Sequence, residues 1–167
     1  MKGIYLCARC HRIPGYDIDY NDIEPLPGIN IQCSCENIKL EKYDFIIATP
    51  PCNYWSRANY RRDKSKVAQL TKHLLIYCLK ECIKSGKPFI VENVLIPNYL
   101  RPKEFDSYKF TYGTHTFWTN VLLPNPGKPI KPGKWKNYKS YGKRDDNIQV
   151  DYIIRLFLST IKDINTL

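Results

Sequence analysis

An α/β fold, with a mostly parallel sheet and flanking helices, is predicted by three features of the sequence. Two short apolar runs, Phe45 to Ala48 and Phe89 to Val91, lack the alternation of a strand with one wet face and read as strands buried on both sides. Between them, from Lys64 onward, Val67, Leu70, Leu74, Tyr77, Cys78 and Cys82 recur at three and four residues, the pattern of an amphipathic helix. Strand, helix and strand in that order make a right-handed crossover, which leaves both strand ends at the same edge of the sheet.

Taken in order, Gly3 to Cys7 is a first apolar strand and Tyr16 to Ile23 a second, with Asp17, Asp19 and Asp22 interspersed. The connection between them, Ala8 to Gly15, has one late glycine and too few residues for a full helix. After Ala48, Thr49-Pro50-Pro51 cannot continue the strand, because proline offers no ladder N–H and restricts the residue before it. Cys52 therefore stands on a stiff loop at the carboxyl edge of the sheet, where open α/β folds keep their chemistry. Tyr54 to Arg62 is polar, basic and aromatic without periodicity, and is expected to be an exposed loop over the cysteine, with Arg57, Arg61 and Arg62 touching phosphates. Asp63 is the expected N-cap of the helix, and Gly86 with Pro88 its end.

The remaining segments follow the same logic. Val94 to Lys109, interrupted by Pro97 and Pro102, should be mainly loop, and Phe110 to Val121 alternates well enough for a hairpin or paired strands. Pro124 to Gly142 is rich in glycine, proline and lysine and should be loop. Asn147 to Ile161 places Val150, Ile153, Ile154, Phe157, Leu158 and Ile161 on one helical face, a closing helix that packs on the sheet. The 167 residues make one domain's length, residues 1–167, without an internal repeat.

Charge and cysteine usage bound the function. Lys and Arg number 26 against 16 acids, a formal net charge of +10, which favours a polyanionic partner, nucleic acid first. The basic residues cluster in Arg57 to Lys66 and Lys128 to Arg144, both interleaved with Tyr or Trp, a mixture suited to phosphate contacts and base stacking. Seven cysteines exclude a complete set of internal disulfides, and the first residues lack the apolar region of a secretory signal. No stretch approaches the length of a membrane span, so a cytoplasmic protein with reduced thiols and no membrane partner is expected.

Cys52 is a candidate nucleophile. The second strand of the crossover ends in Glu92-Asn93-Val94, a carboxylate and an amide, so the two strand ends supply two halves of a site. With Pro50-Pro51-Cys52 and Ser56 four residues on, followed in order by Glu92-Asn93-Val94, the chain resembles the DNA cytosine-5 methyltransferases. That family carries a Pro-Cys motif and, on the next strand, a Glu-Asn-Val motif. The resemblance covers about Tyr16 to Val121 and is specific around Cys52 and Glu92.

The resemblance implies a Rossmann-like S-adenosylmethionine-dependent methyltransferase fold, shortened at the N-terminus, and transfer of a methyl group to carbon 5 of cytosine. Cys52 would add to carbon 6 of the ring, and Glu92 would hydrogen-bond the ring nitrogen and exocyclic amine. Pro50, Pro51, Ser56, Asn93, Arg57, Arg61 and His115 would surround the substrate. S-adenosylmethionine would lie against Cys7, Asp22, Glu24, Thr49 and Pro50, with Asp22 favoured over Glu24 for the ribose. The sequence departs from the family in its first turn, which is not glycine-rich, in lacking an acid at the adenine position near Gln32 to Glu36, and in Thr114 and Thr116, which stand where arginines would hold the cytosine. No segment is long enough for the family's separate target-recognition domain. DNA, duplex or single-stranded, is the implied partner, with a partner protein to supply recognition.

Two other readings use the same residues. One is a catalytically silent relative that binds nucleic acid. The other is a zinc-stabilised nucleic-acid module in which Cys7 and Cys10 form one knuckle and Cys33 and Cys35 a second.

Overall fold

The computed structural model describes residues 1–9, 11–129 and 146–164. Seven strands form one sheet: β1 (Lys2–Leu6), β2 (Asp17–Asp22), β3 (Ile31–Gln32), β4 (Phe45–Ala48), β5 (Phe89–Val94), β6 (Lys109–Tyr112) and β7 (His115–Thr119). Their order across the sheet is β3-β2-β1-β4-β5-β7-β6. The pairs among β1 to β5 are parallel, with Leu6 beside Ala48 and Ala48 beside Val91, and β7 runs antiparallel to both β5 and β6. The protein is thus α/β with a mixed, mostly parallel sheet, as the apolar runs predict. Phe45 to Ala48 and Phe89 to Val91 are buried throughout.

Each face of the sheet has its own cover. Helix α1 (Lys66–Ser85) packs Leu75, Cys78, Leu79 and Cys82 against Ile4, Ile46, Phe89 and Val91 on one side. On the other side helix α2 (Asp146–Ile164) packs Val150, Ile153, Ile154, Phe157, Leu158 and Ile161 against Tyr5, Phe45, Ile47, Ile90 and Phe117. All six expected α2 positions are buried. The connection between β1 and β2 holds no helix, as its length requires, so α2 supplies the cover there. His11 Nδ1 lies 3.2 Å from Asp151 Oδ1, pinning that connection to α2.

Several local expectations shift. The N-cap of α1 is Ser65, whose hydroxyl accepts from the Ala68 amide, and not Asp63, which lies in the preceding turn. The helix ends at Gly86 in the left-handed conformation, φ 66°, which glycine adopts without steric penalty. Its buried stripe runs through Ala68, Leu75, Cys78, Leu79 and Cys82, while Val67 and Leu70 are exposed at 55% and 72%. The first turns of α1 overhang the sheet, so the apolar residues there face a cleft instead of the core. Val94 to Lys109 includes a 3-10 turn, Lys103–Tyr108, within its loops, and the paired strands expected over Phe110 to Val121 are β6 and β7. Most of the Pro124 to Gly142 loop and of the Lys128 to Arg144 basic patch lies outside the described residues. Among the described residues no helix is long and apolar enough to cross a membrane.

Candidate functional site

Along the chain the sheet is built from β1 outward to β3, then resumes at β4 on the other flank of β1. At such a reversal the loops leaving adjacent strands diverge and open a crevice at their carboxyl ends, where ligands bind. Here the loops after β1 and β4 frame a cavity of about 410 Å³, within the range of small-molecule sites. Its wall holds Cys7 after β1, Asp22 at the end of β2 with Glu24 beyond it, and Thr49, Pro51 and Cys52 after β4, with the overhanging Val67, Leu70 and Leu74 of α1 opposite. Four of the five residues expected around a cofactor, Cys7, Asp22, Glu24 and Thr49, thus meet the candidate nucleophile in one cavity. The fifth, Pro50, is buried and does not reach the cavity wall.

The turn after β1 does the work expected of glycine with other residues. Cys7 and Arg9 both have positive φ, 55° and 45°, a conformation that costs an L-residue about 1–2 kcal/mol. Two contacts hold it there: Asp22 Oδ2 accepts from the Arg9 amide at 2.9 Å, and Thr49 Oγ1 donates to the Cys7 carbonyl at 2.9 Å. Asp22 Oδ1 accepts from the Glu24 amide at 3.1 Å. Asp22, 7% exposed, therefore spends both oxygens on shaping the turn, whereas Glu24 is exposed on the rim.

Three thiols meet at the cavity floor. Cys7 and Cys78 both hydrogen-bond Cys35, and these two donors lower the Cys35 thiol from its ordinary range. Cys7 and Cys78 are pushed up in turn, chiefly by the same contact with Cys35. Of the three, Cys35 is the one whose ionisation these contacts favour. Replacing Cys7 by Ala removes the larger donor, so the Cys35 pKa should rise toward the usual thiol range, which a pH titration of thiolate ultraviolet absorbance will read. With the carboxylates of Asp22, Glu24 and Glu36 on the wall against the guanidinium of Arg9, the cavity is acidic inside a protein of net charge +10.

The Pro50-Pro51-Cys52 loop is tied to the neighbouring strand. Asn93, 1% exposed, donates from Nδ2 to the Pro50 carbonyl at 2.9 Å. After Cys52 the chain turns tightly, with the Trp55 and Ser56 amides both donating to the Cys52 carbonyl. The segment from Tyr54 to Arg62 is not simply an exposed loop. Trp55 is 7% exposed and packs into the α1-side core, and Arg62 is 8% exposed, donating to the Tyr99 hydroxyl at 2.8 Å and to the Ser56 carbonyl at 2.9 Å. Arg62 is therefore a strut, while Arg57 and Arg61 face solvent as expected. The Ser56 hydroxyl accepts from the Ala58 amide and helps form the turn.

Glu92 stands at the same sheet edge as Cys52 but outside the cavity wall. Ile90 faces the α2 side and Val91 the α1 side, so alternation turns Glu92 toward α2. There Glu92 Oε1 lies 2.7 Å from His115 Nδ1, and both side chains are nearly buried. His115 is 7% exposed, with its ring 6.3 Å from that of Phe117, and so is not an exposed strand histidine. His115 Nε2 has no hydrogen-bond partner among the described residues.

Sequence reasoning passed over several cavity residues: Arg9, Glu36, Asn53 and His73, whose Nε2 lies 3.2 Å from Glu36 Oε1. For α1 the sequence carried no clear signal, since Val67 and Leu70 share the three- and four-residue spacing of the buried positions and only the structure shows them exposed. Of the thiols grouped for zinc, Cys7 meets Cys35 and Cys78, and Cys10 lies outside the described residues. Among the described residues no group of three or more ligand-type side chains is placed to hold a metal ion.

No family model matches this chain, and no curated protein matches it. What the fold and site define by themselves is an α/β protein with an acidic cavity at the point where its parallel strand order reverses, walled in part by a loop cysteine.

Proposed function

We propose that the protein is an S-adenosylmethionine-dependent methyltransferase of Rossmann-like fold that methylates carbon 5 of cytosine in DNA. The observation that carries this reading is the cavity at the strand-order reversal, which gathers Cys7, Asp22, Glu24 and Thr49 with Cys52. Its chemistry suits this cofactor over a nucleotide with phosphates. Carboxylates repel a pyrophosphate but attract a sulfonium cation and accept hydrogen bonds from ribose hydroxyls and an amino group. Glu24, exposed on the rim, is the ribose contact, and Asp22 fixes the turn that presents it. Cys7 and Thr49 form the floor.

The cofactor supplies the methyl group when bound. The chain's own residues prepare the acceptor, because carbon 5 of cytosine is a poor nucleophile. The Cys52 thiolate adds to carbon 6, and the displaced electron pair makes carbon 5 enamine-like. Glu92, steadied by His115, hydrogen-bonds the ring nitrogen and exocyclic amine, which favours the activated ring and selects cytosine. After transfer a base takes the proton from carbon 5 and the Cys52 thiolate leaves. Asn93 holds the Pro50 carbonyl and so the height of the thiol.

Calorimetry with S-adenosylmethionine tests the cofactor site without a choice of DNA target. Binding in the micromolar range, about -8 kcal/mol, is expected. Glu24→Ala should weaken it about 10- to 150-fold, the loss of a hydrogen bond to a charged group, with an unchanged melting temperature. Absence of binding by the native chain, with and without DNA, would refute the methyltransferase reading and leave the silent nucleic-acid-binding relative.

A further inference from the structure

Two tyrosines beside the Cys52 loop are held in the open. Tyr60 is 82% exposed and Tyr99 is 77% exposed, although they come from separate segments. Each ring is faced by a guanidinium, Arg61 at 5.4 Å from the Tyr60 centroid and Arg62 at 5.9 Å from that of Tyr99. Both segments are ordered by backbone hydrogen bonds, from Asn59 to Ser56 and from Ser65 to Arg61 around Tyr60, and from Leu100 and Arg101 to Pro97 around Tyr99. Neither ring contributes to the core.

Arg62 explains how the arrangement persists. Its side chain is nearly buried, yet among the described residues no carboxylate pairs with it. Burying an unpaired cation opposes folding, so this one is retained at a cost while it holds the Tyr99 hydroxyl with one nitrogen and the Ser56 carbonyl with another. Ser56 in turn donates its amide to the Cys52 carbonyl. One buried guanidinium thereby links an exposed aromatic ring to the nucleophile's turn, and it adds positive potential beside the exposed Arg57 and Arg61.

Exposed aromatic faces with cationic support bind flat π-systems beside negative charge. In a duplex the base faces are already stacked on one another and only phosphates and groove edges are offered. Unpaired bases offer both a face to stack and a phosphate alongside. We infer that Tyr60 and Tyr99, braced by Arg61 and Arg62, are a stacking platform for unpaired bases of a single-stranded polynucleotide, which they lead to the Cys52 loop. This names the substrate class of the site proposed above and rests on that reading for its catalytic meaning, although the binding itself needs no cofactor.

The test is fluorescence anisotropy with the full chain, no cofactor, and a labelled cytosine-containing oligonucleotide of roughly a dozen nucleotides, long enough for one site. It is offered as single-stranded DNA, as RNA of the same sequence, and as duplex DNA at one salt concentration. Single strands should bind more tightly than the duplex. Tyr60→Ala and Tyr99→Ala should each weaken single-strand binding about 5- to 150-fold and leave duplex binding unchanged, while Tyr60→Phe keeps the native affinity. Whichever of the DNA and RNA arms is tighter identifies the sugar, and either supports the platform. A duplex that binds as tightly as the single strand, or Ala variants that bind single strands as the native chain does, would overturn it. Because Tyr60 is almost wholly exposed, its Ala variant folds regardless of the result. Failure of the cofactor reading would leave these affinities in place, and failure of the platform would leave S-adenosylmethionine binding in place.

Discussion

Cys52→Ala protein is expected to fold and to bind S-adenosylmethionine as the native chain does, and to transfer no methyl group to cytosine. The thiol is half-buried on a loop whose shape is set by other atoms: the two prolines, the Asn93 bond to the Pro50 carbonyl, and the Cys52 carbonyl that accepts two amides. All of these survive loss of the sulfur, so the melting temperature should be unaffected. Chemistry should not survive, since without a thiolate nothing makes carbon 5 nucleophilic. Tritium transfer from labelled cofactor to cytosine-rich DNA, single-stranded and duplex, measures it. Cys52→Ser is the sharper control, because a hydroxyl is almost wholly un-ionised near neutral pH and should be close to inactive. A cytosine bearing fluorine at carbon 5 cannot release a proton there, so the native chain should remain joined to it through sulfur. A full rate from the Ala variant would end the covalent mechanism.

Phe157→Ala should produce the largest loss of stability. The ring is fully buried on α2 and meets Phe45 edge-on, with centroids 6.4 Å apart at 68°. Truncating such a ring costs about 3–5 kcal/mol through lost transfer energy and the cavity left behind. Against a total of about 5–15 kcal/mol, that is a large share, and thermal melting should fall by roughly 10 °C or more. The size of the effect follows from the fold, since α2 is the helix that seals this side of the sheet and nothing between β1 and β2 can replace it. A shift of only a degree or two, read by circular dichroism, would mean that α2 does not seal that face.

The sequence announces the strands and helices whose burial is written in periodicity. Phe45 to Ala48, Phe89 to Val91 and the α2 stripe are legible because their apolar residues have no other use. The first turns of α1 mislead for a physical reason: Val67 and Leu70 are apolar to line a cleft, and periodicity alone does not separate a cleft from a core. The glycine-poor turn after β1 reads as a defect until Asp22 and Thr49 are seen gripping Cys7 and Arg9 in left-handed conformations. The Glu92–His115 pair and the Arg62 strut depend on contacts between segments far apart in the chain. The order of residues leaves no trace of such contacts. Asn93 lies between, because its motif placed an amide at the site but did not say that its partner would be the Pro50 carbonyl.

The placement of α2 also governs how the chain comes to its fold as it leaves the ribosome. Tyr5 and Ile18 belong to the first strands, yet the side chains that cover them come from residues 150–161. Until those residues are made, that side of the sheet is an open apolar surface, which is the condition for sticking to other nascent chains. Closure joins the first strands to α2, segments far apart in the sequence, a long-range contact of the kind that slows folding. A chain cut anywhere before residue 150 would therefore be expected to aggregate or be degraded, and yield from expression should depend strongly on temperature and on chaperone supply.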